Sequence, residues 1–207
     1  FIGVYTNWRH DAGATFEHLH RQVIGLDRYG HALKNGISMA GRDAGVYQDY
    51  VTYVALQQNL FLCENEHAIA FTDIGHPFAA VAIYSKSPQA LPWAHTTAEL
   101  RGMSDVIHAV HAAFGAAEAV NEEWYYQPRD TTIRIPWHVL LKWRNHRHAG
   151  IESITNIYPD DYGPVELRNI LSTKLSRLRT ANGCAALSFE QPRDVSLRYV
   201  ESARGRA

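Results

Sequence analysis

The sequence predicts an α+β fold in which helices pack against an antiparallel sheet. Two observations support this prediction. The predicted elements run in the order hairpin, helix, strand pairs, long helix, strand pair and helix, and the strands come mostly as neighbours joined by short turns. The chain has 207 residues, 46% of them hydrophobic, which suffices for one large domain or two small ones.

The first elements are a hairpin and a helix. Residues 1–7 and 14–26 are predicted strands, joined by a turn that Gly13 closes. The glycines and charged residues of 27–45 predict a loop or a broken helix. Residues 46–60 repeat apolar side chains at helical spacing, which predicts a helix.

The second part of the chain combines strand pairs with two strong helices. The stretch NLFLCENEHAIAFTDIGHPFAAVAIYSKS predicts a strand, a turn, a strand, a loop and a strand. The strongest helix spans 96–119 and opens with a threonine cap followed by Glu99. Two strands follow, in EEWYYQP and TTIRIPWHVLLKWR, and then a helix at 163–178 with Pro164 in its first turn.

The two ends of the chain carry weaker signals. The first residue is Phe1 rather than methionine, and FIGVYTNW reads as a strand already in progress, so we expect the chain to be a piece of a longer one. The tail from Arg179 is polar, and we expect it to be frayed.

Composition disfavours several classes of partner. With 20 Lys+Arg against 21 Asp+Glu, the net charge of -1 gives no overall field that would attract nucleic acid or an anionic membrane. The chain has neither a run of ~20 apolar residues nor a signal-peptide pattern at its start. Cys63 and Cys184 form no CxxC pair and predict no disulfide framework. We expect a soluble, cytoplasmic protein without nucleic-acid or membrane partners.

The stretch GATFEHLHRQV carries the clearest chemical signal. On a strand, residues i and i+2 point to the same face, so His18, His20 and Gln22 would project together. Two imidazoles beside an amide can bind a metal, or one ring can attack an electrophile while its neighbours orient it. The alternative is that both are ordinary strand histidines, exposed or hydrogen-bonded in a core.

The longer stretch YTNWRHDAGATFEHLHRQ resembles the galactose-1-phosphate uridylyltransferases, within a histidine-triad-like superfamily that also contains diadenosine-tetraphosphate phosphorylases. The family pattern is an aromatic-x-Asn strand, a Gly-x-Ser turn and then His-Pro-His-x-Gln. Thr15 replaces the serine and Leu19 replaces the proline, while the six-residue step from Asn to Gly is the same. The matching positions are Asn7, Gly13, Thr15, His18, His20 and Gln22.

This resemblance implies histidine-triad-like half-barrel lobes and a role for each motif residue. His20 would be the nucleophile that accepts a nucleotidyl group from its α-phosphorus, and Gln22 would hydrogen-bond a phosphate oxygen. The residues expected to bind nucleotide or phosphate are Asn7, Gly13, Ala14 and Thr15.

The resemblance also implies a domain division and a metal. Residues 1–59 would be the C-terminal part of a first lobe carrying the active-site strand, 60–180 a second lobe, and 181–207 a polar tail. His18 would bind a structural zinc ion, whose other ligands, a Cys-x-x-Cys and a further histidine, are missing here and are expected upstream. In the second lobe, the family's late His-x-His leaves only His138, and its galactose-contacting Tyr-Glu pair has no clear counterpart in GIESITNIY.

Other chemistry-bearing residues have simpler interpretations. His146 and His148 in NHRHAG favour a solvated basic turn over a metal site, and His108 and His111 favour packing or surface roles. Lys142 and Arg144 could face substrate phosphates, but an exposed strand end is favoured. Five aromatic residues are expected to be structural rather than to stack on a base: Trp124, Tyr125, Tyr126, Trp137 and Trp143.

The resemblance thus implies an enzyme, a uridylyl- or adenylyltransferase. It would move a nucleoside monophosphate between a nucleotide sugar or nucleoside triphosphate and a sugar phosphate, through a covalent nucleotidyl-histidine. Its partners would be those two substrates, and a homodimer is implied. Two alternatives stay open: a phosphorylase or hydrolase of dinucleoside polyphosphates, and an inactive module that binds nucleotide or supports a dimer.

Overall fold

A computed structural model describes residues 1–146, 149–159, 161–180 and 186–200. Its centre is one seven-stranded sheet, in which every neighbouring pair of strands is antiparallel. The strands are β1 (Ile2–Trp8), β2 (Arg21–Gly25), β3 (Phe61–Glu64), β4 (Ala68–Asp73), β5 (Ala80–Ser85), β6 (Val120–Tyr125) and β7 (His138–Trp143). Their order in the sheet is β2-β1-β6-β7-β5-β4-β3.

Helices cover both faces of this sheet, which confirms the predicted α+β class. The α-helices are α1 (His31–Arg42), α2 (Val46–Val51), α3 (Thr97–Phe114), α4 (Gly150–Thr155) and α5 (Pro164–Thr180). A π-helical segment, Thr52–Gln57, continues α2, and short 3-10 turns lie at His10–Ala12, Pro92–Ala94 and Arg198–Val200.

Alternation along the strands gives the sheet two faces with separate cores. On the first, called the α3 face, Val81 and Val139 pack against α3 and α5. On the second, called the α1 face, Phe71 and Leu140 pack against α2 and the π-helical segment. The start of α1 lies over the same face, where Leu33 packs against Ile135.

Helix α3 begins where the sequence predicts. The Thr96 hydroxyl accepts a hydrogen bond from the Glu99 amide, and the Glu99 carboxylate accepts one from the Thr96 amide at 2.8 Å. This capping box satisfies two amides that the first turn of a helix leaves without partners. The helix ends at Phe114, earlier than predicted, because Gly115 turns the chain with φ +101°.

Two expectations are wrong. Residues 31–42 form one continuous helix rather than a loop or broken helix, because Leu33 and Ala40 are buried against Ile135. The described residues 186–200 are not frayed. Ser188 exchanges two backbone hydrogen bonds with Glu64, at 2.8 and 2.9 Å, and the side chains of Val195, Leu197 and Tyr199 are buried.

Strands of both predicted lobes share the single sheet, and the division into 1–59, 60–180 and 181–207 stays a prediction. Cys63 is buried, whereas Cys184 lies outside the described residues. Across the described ranges, no helix combines the length and the apolar character needed to cross a bilayer.

Candidate functional site

The predicted motif starts on β1 and continues through a glycine turn. Asn7 lies near the end of β1, and the 3-10 turn from His10 to Ala12 follows. Gly13 ends this turn with φ +85°, and its amide donates to the His10 carbonyl at 2.8 Å. Side chains disfavour that left-handed conformation, so the backbone explains the glycine of the motif.

Strand β2 begins later than the sequence predicts. Its first residue is Arg21, and residues 14–20 form bends and irregular backbone instead of a strand. The prediction that His18, His20 and Gln22 project from one face of a strand is therefore wrong for this structure.

The end of β1 explains this difference. Arg9 has φ +69°, so the chain leaves the extended conformation directly after Trp8. The side chains of Trp8 and Arg9 both donate to the carbonyl of Ala116, at 3.0 and 2.9 Å. The last residues of β1 thus turn toward the loop after α3, and the hairpin opens before it reaches the histidines.

The two histidine rings lie together in this open segment. Their centroids are 5.3 Å apart, and the Phe16 ring packs beside both. Nδ1 of His20 is 2.9 Å from the carbonyl oxygen of His18. Because a carbonyl can only accept, Nδ1 carries the proton of the neutral ring and Nε2 keeps its lone pair. A lone pair on Nε2 is what nucleophilic attack or metal binding requires.

His20 lines a cavity of about 690 Å³ on the α3 face, which we call the His20 cavity. This volume lies within the usual range of small-molecule sites, ~300–1,000 Å³. The polar residues of its wall include Thr6, His20, Arg21, His108, His111 and Glu122.

A buried carboxylate organises the inner wall of the His20 cavity. The side chain of Glu122 is 3% exposed, and it pairs with Arg21 and with Nε2 of His111 at 2.9 Å. Trp124 Nε1 donates to it at 2.6 Å. Burial alone would raise the pKa of Glu122, but the hydrogen bonds from His111 and Trp124 and the charge of Arg21 outweigh it and lower the pKa. This network joins α3 to the residue next to His20.

Gln22 lies on the other side of the sheet. It pairs with Tyr5, and its Oε1 accepts a hydrogen bond from the Tyr5 hydroxyl at 2.8 Å. Asn7 follows two residues after Tyr5 on β1 and faces the same side. The structure therefore brings Gln22 and Asn7 to the α1 face and does not bring His20 to them.

Asn7 lines a second cavity, of about 540 Å³, between the α1 face and the start of α1. We call it the Asn7 cavity. Asn121 holds its wall together: Nδ2 donates to Asn7 Oδ1 at 2.7 Å and to the Ala12 carbonyl at 2.8 Å. Arg144 Nη1 donates to Asn121 Oδ1 at 2.8 Å. Sequence reasoning missed Asn121, although alternation in VNEEWY places it on one face with Glu123 and Tyr125.

Two of the residues predicted to bind nucleotide or phosphate line a third cavity, of about 750 Å³, which we call the Thr15 cavity. Ala14 and Thr15 form part of its wall, and Arg144 lies in the walls of both this cavity and the Asn7 cavity. The glycine-turn residues and Asn7 thus meet around one arginine from β7's end.

The favoured interpretation of Lys142 and Arg144 as an exposed strand end is wrong, because both are partly buried. Lys142 Nζ lies 2.7 Å from a carboxylate oxygen of Glu123, which also accepts a hydrogen bond from the Tyr125 hydroxyl at 2.8 Å. The charge of Lys142 is therefore matched within the fold.

His138 takes a structural role. Its ring stacks on Tyr84, 4.5 Å between centroids, and on Tyr125 at 5.2 Å. Nδ1 donates to the Pro136 carbonyl at 2.8 Å, and burial lowers the pKa to about 4. A neutral ring packed between aromatic side chains is part of the core, which agrees with the loss of the family's His-x-His at this strand.

The described residues do not form a zinc site by themselves. His18 is exposed, and its ring neighbours are Phe16 and His20. Within the described parts of the chain, no cluster of three or more His, Cys, Asp or Glu side chains is arranged to hold a metal ion. A zinc ion at His18 would therefore need ligands from elsewhere.

The remaining histidine and aromatic candidates contact other side chains of the fold. The His146 ring packs on Phe78 at 4.9 Å, whereas Arg147 and His148 lie outside the described residues. His111 pairs with Glu122, and both His108 and His111 line the His20 cavity. The five aromatic residues pack in the fold as predicted; for example, the rings of Trp124 and Trp137 are 5.0 Å apart.

Three solved structures with a similar fold are an ADP-glucose phosphorylase, a uridylyltransferase and a GalT-like protein. An ADP-glucose phosphorylase from Arabidopsis thaliana with bound ADP-glucose has a TM-score of 0.71 and 13% identity, and the match covers 83% of this chain and 58% of that one. A uridylyltransferase has a TM-score of 0.70 and 16% identity, covering 86% and 61%. A GalT-like protein from Arabidopsis thaliana has a TM-score of 0.70 and 13% identity, covering 83% and 60%.

These neighbours confirm the predicted resemblance at the level of the fold. The chain spans 58–61% of the length of these structures. A comparison with curated protein sequences finds no match. A family model matches residues 1–199, which is nearly the whole chain. The protein therefore belongs to the family described as a domain of unknown function, DUF4921.

Proposed function

We propose that the protein is a nucleotidyltransferase that works through a covalent nucleotidyl-histidine at His20. The motif from Asn7 to Gln22 and the shared fold both support this proposal. The observation that carries it is the contact between His20 Nδ1 and the His18 carbonyl, which leaves Nε2 as the nucleophilic nitrogen.

The reaction would run in two displacements at phosphorus. Nε2 attacks the α-phosphorus of a nucleotide sugar or nucleoside triphosphate, so that a P–N bond forms and the P–O bond to the leaving phosphate breaks with its electron pair. A phosphate oxygen of the acceptor, a sugar phosphate, then attacks the same phosphorus and releases His20. Gln22 and Asn7 would hydrogen-bond phosphate oxygens, and the backbone from Gly13 to Thr15 would surround them.

Register supplies the link between His20 and the α1 face. β1 and β2 pair Tyr5 with Gln22 and Thr6 with Arg21. One further pair would set His20 opposite Asn7, on the face that already carries Gln22. We propose that the hairpin closes by this pair when substrate binds, which would assemble the three motif residues.

Two other functions remain as candidates. The first candidate is favoured by the likeness to a phosphorylase, in which phosphate would be the second acceptor. The sequence predicts this alternative as a phosphorylase or hydrolase of dinucleoside polyphosphates. The structural role of His138 favours a module that binds nucleotide or supports a dimer without turnover. The homodimer, the cytoplasmic location and the zinc ion stay predictions.

Labelling tests the proposal. The protein is incubated with α-labelled UTP, ATP or a nucleotide sugar, and the reaction is quenched in base. An acid-labile label on the protein is expected, and His20→Ala should remove it. His108→Ala removes another imidazole of the same cavity and should keep the label. A label that persists in His20→Ala would refute the assignment, and discharge by phosphate but not by sugar phosphates would identify the phosphorylase.

A further inference from the structure

Arg144 is a partly buried cation without a carboxylate partner in the described part of the chain. Among the described residues, its side chain makes one hydrogen bond, from Nη1 to Asn121 Oδ1, and its buried Nε has no partner there. The guanidinium carbon lies 4.1 Å from the ring centroid of Phe78. An arginine withdrawn from water normally pairs with an anion, since desolvation of an unpaired charge is unfavourable.

Neighbouring charges do not supply that anion. The carboxylates that act on Arg144 are Glu123 and Asp11, and neither lies within ion-pair distance. Burial lowers the pKa of Arg144 in spite of both. Glu123 is already paired with Lys142. Arg144 thus differs from Lys142 and Arg21, each of which has a carboxylate of its own.

The position of Arg144 selects the kind of anion. It lies in the walls of both the Asn7 cavity and the Thr15 cavity, between the amide of Asn7 and the turn that ends at Gly13. The Asn121 side chain fixes both sides of this arrangement, since it bonds Asn7, Ala12 and Arg144. With Nη1 bonded to Asn121 and Nε enclosed by the fold, Nη2 is the nitrogen that remains for an oxygen of a tetrahedral anion.

We propose that Arg144 binds a phosphate group of the substrate through Nη2. Asn121 acts as its positioning residue. This inference rests on the proposed function only for the identity of the ligand as a substrate, because phosphate binding can be measured without turnover. The positive charge that binds phosphate would then come from the residue that follows β7, outside the motif.

Calorimetric titration tests this with ADP and with inorganic phosphate as probes. Arg144→Gln should weaken ADP binding about 10-fold or more, as expected for loss of a charged hydrogen bond to phosphate. The matched control is Arg101→Gln, the same change of charge at an exposed position of α3, and it should bind as the unmodified chain does. Unchanged ADP affinity in Arg144→Gln would overturn the proposal.

A second variant covers loss of folding. Arg144→Lys keeps the charge but loses the guanidinium that Asn121 orients, so a several-fold weaker ADP affinity is expected. Affinity equal to that of the unmodified protein would overturn the role of the guanidinium. His20 labelling separates this inference from the proposed function. If Arg144→Gln weakens ADP binding but the unmodified protein takes up no label, the role of Arg144 is supported and the transferase proposal is refuted. If the unmodified protein is labelled but Arg144→Gln binds ADP equally well, the transferase proposal is supported and the role of Arg144 is refuted.

Discussion

At the scale of single residues, His138 shows how packing fixes a protonation state. Its ring lies between Tyr84 and Tyr125 and donates to a backbone carbonyl. Burial lowers its pKa from 6.5 to about 4, which the nearby charge of Asp73 only partly opposes. The folded protein therefore holds a neutral imidazole under conditions in which the unfolded chain binds a proton.

This difference predicts a dependence of stability on pH. Between pH 6.5 and 4 the unfolded state binds more protons at this site, so the free energy of unfolding should fall as the pH falls through that window, by up to about 3 kcal/mol. Urea unfolding from pH 7.5 to 4.5 measures it. His138→Phe keeps the stacked ring without a titrating group, and its stability should fall less over the same range. An equal pH slope in both proteins would contradict the assignment to His138.

The sequence predicts residue types of the site better than their positions. The motif spacing predicts Asn7, Gly13 and Gln22 as site residues, and the turn at Gly13 and the strands that carry Asn7 and Gln22 are as expected. It does not reveal that Arg9 takes a positive φ and opens the hairpin before His20. Arg144 reaches the same site only through the pairing of β7 with β6, a long-range contact that local patterns do not encode.

At the scale of elements, tertiary packing overrides propensity in α1 and confirms it in α3. Helix α1 contains two glycines, Gly36 and Gly41, which indicated a loop, yet buried contacts hold it helical. Helix α3 has a capping box and an apolar stripe, and both local signals agree with its packing. The sequence therefore predicts elements whose local and global preferences coincide.

Glycine positions in these helices give opposite predictions for one substitution. Alanine is the better helix former by ~1 kcal/mol, but a Cβ at Gly102 would lie 2.6 Å from Cβ of His67. Gly102→Ala should therefore destabilise the protein, by about 1–2 kcal/mol after the gain in propensity. At Gly41 the nearest atom would be an Ile133 methyl at 3.7 Å, so Gly41→Ala should be neutral or stabilising.

Urea unfolding of Gly102→Ala and Gly41→Ala at one pH tests whether packing or helix propensity determines the change in the free energy of unfolding. Equal stabilisation of both would show that the contact between α3 and the β3–β4 turn yields easily, against the prediction.

At the scale of the whole molecule, the sheet separates the parts of the site. Strand β1 pairs with β2 on one edge and β6 on the other, so it joins the motif to the rest of the fold. His20 lines the cavity on the α3 face, whereas Asn7, Gln22 and Asn121 belong to the α1 face. Catalysis at His20 with help from these residues requires the nucleophile to change sides of the sheet.

The proposed closure of the hairpin would achieve this change with one more ladder pair. Extending the register beyond Thr6 and Arg21 sets His20 opposite Asn7, and the alternation of side chains turns its ring to the α1 face. Backbone amides at and beside His20, which now lie outside the ladder, would then gain hydrogen bonds. Hydrogen exchange followed by mass spectrometry should show slower exchange in this segment on addition of ADP or UDP, with α5 unchanged as the internal control. His20→Ala should keep this protection, because the pairing is made by the backbone. Exchange that stays fast while calorimetry shows bound nucleotide would exclude hairpin closure as the step that assembles the site.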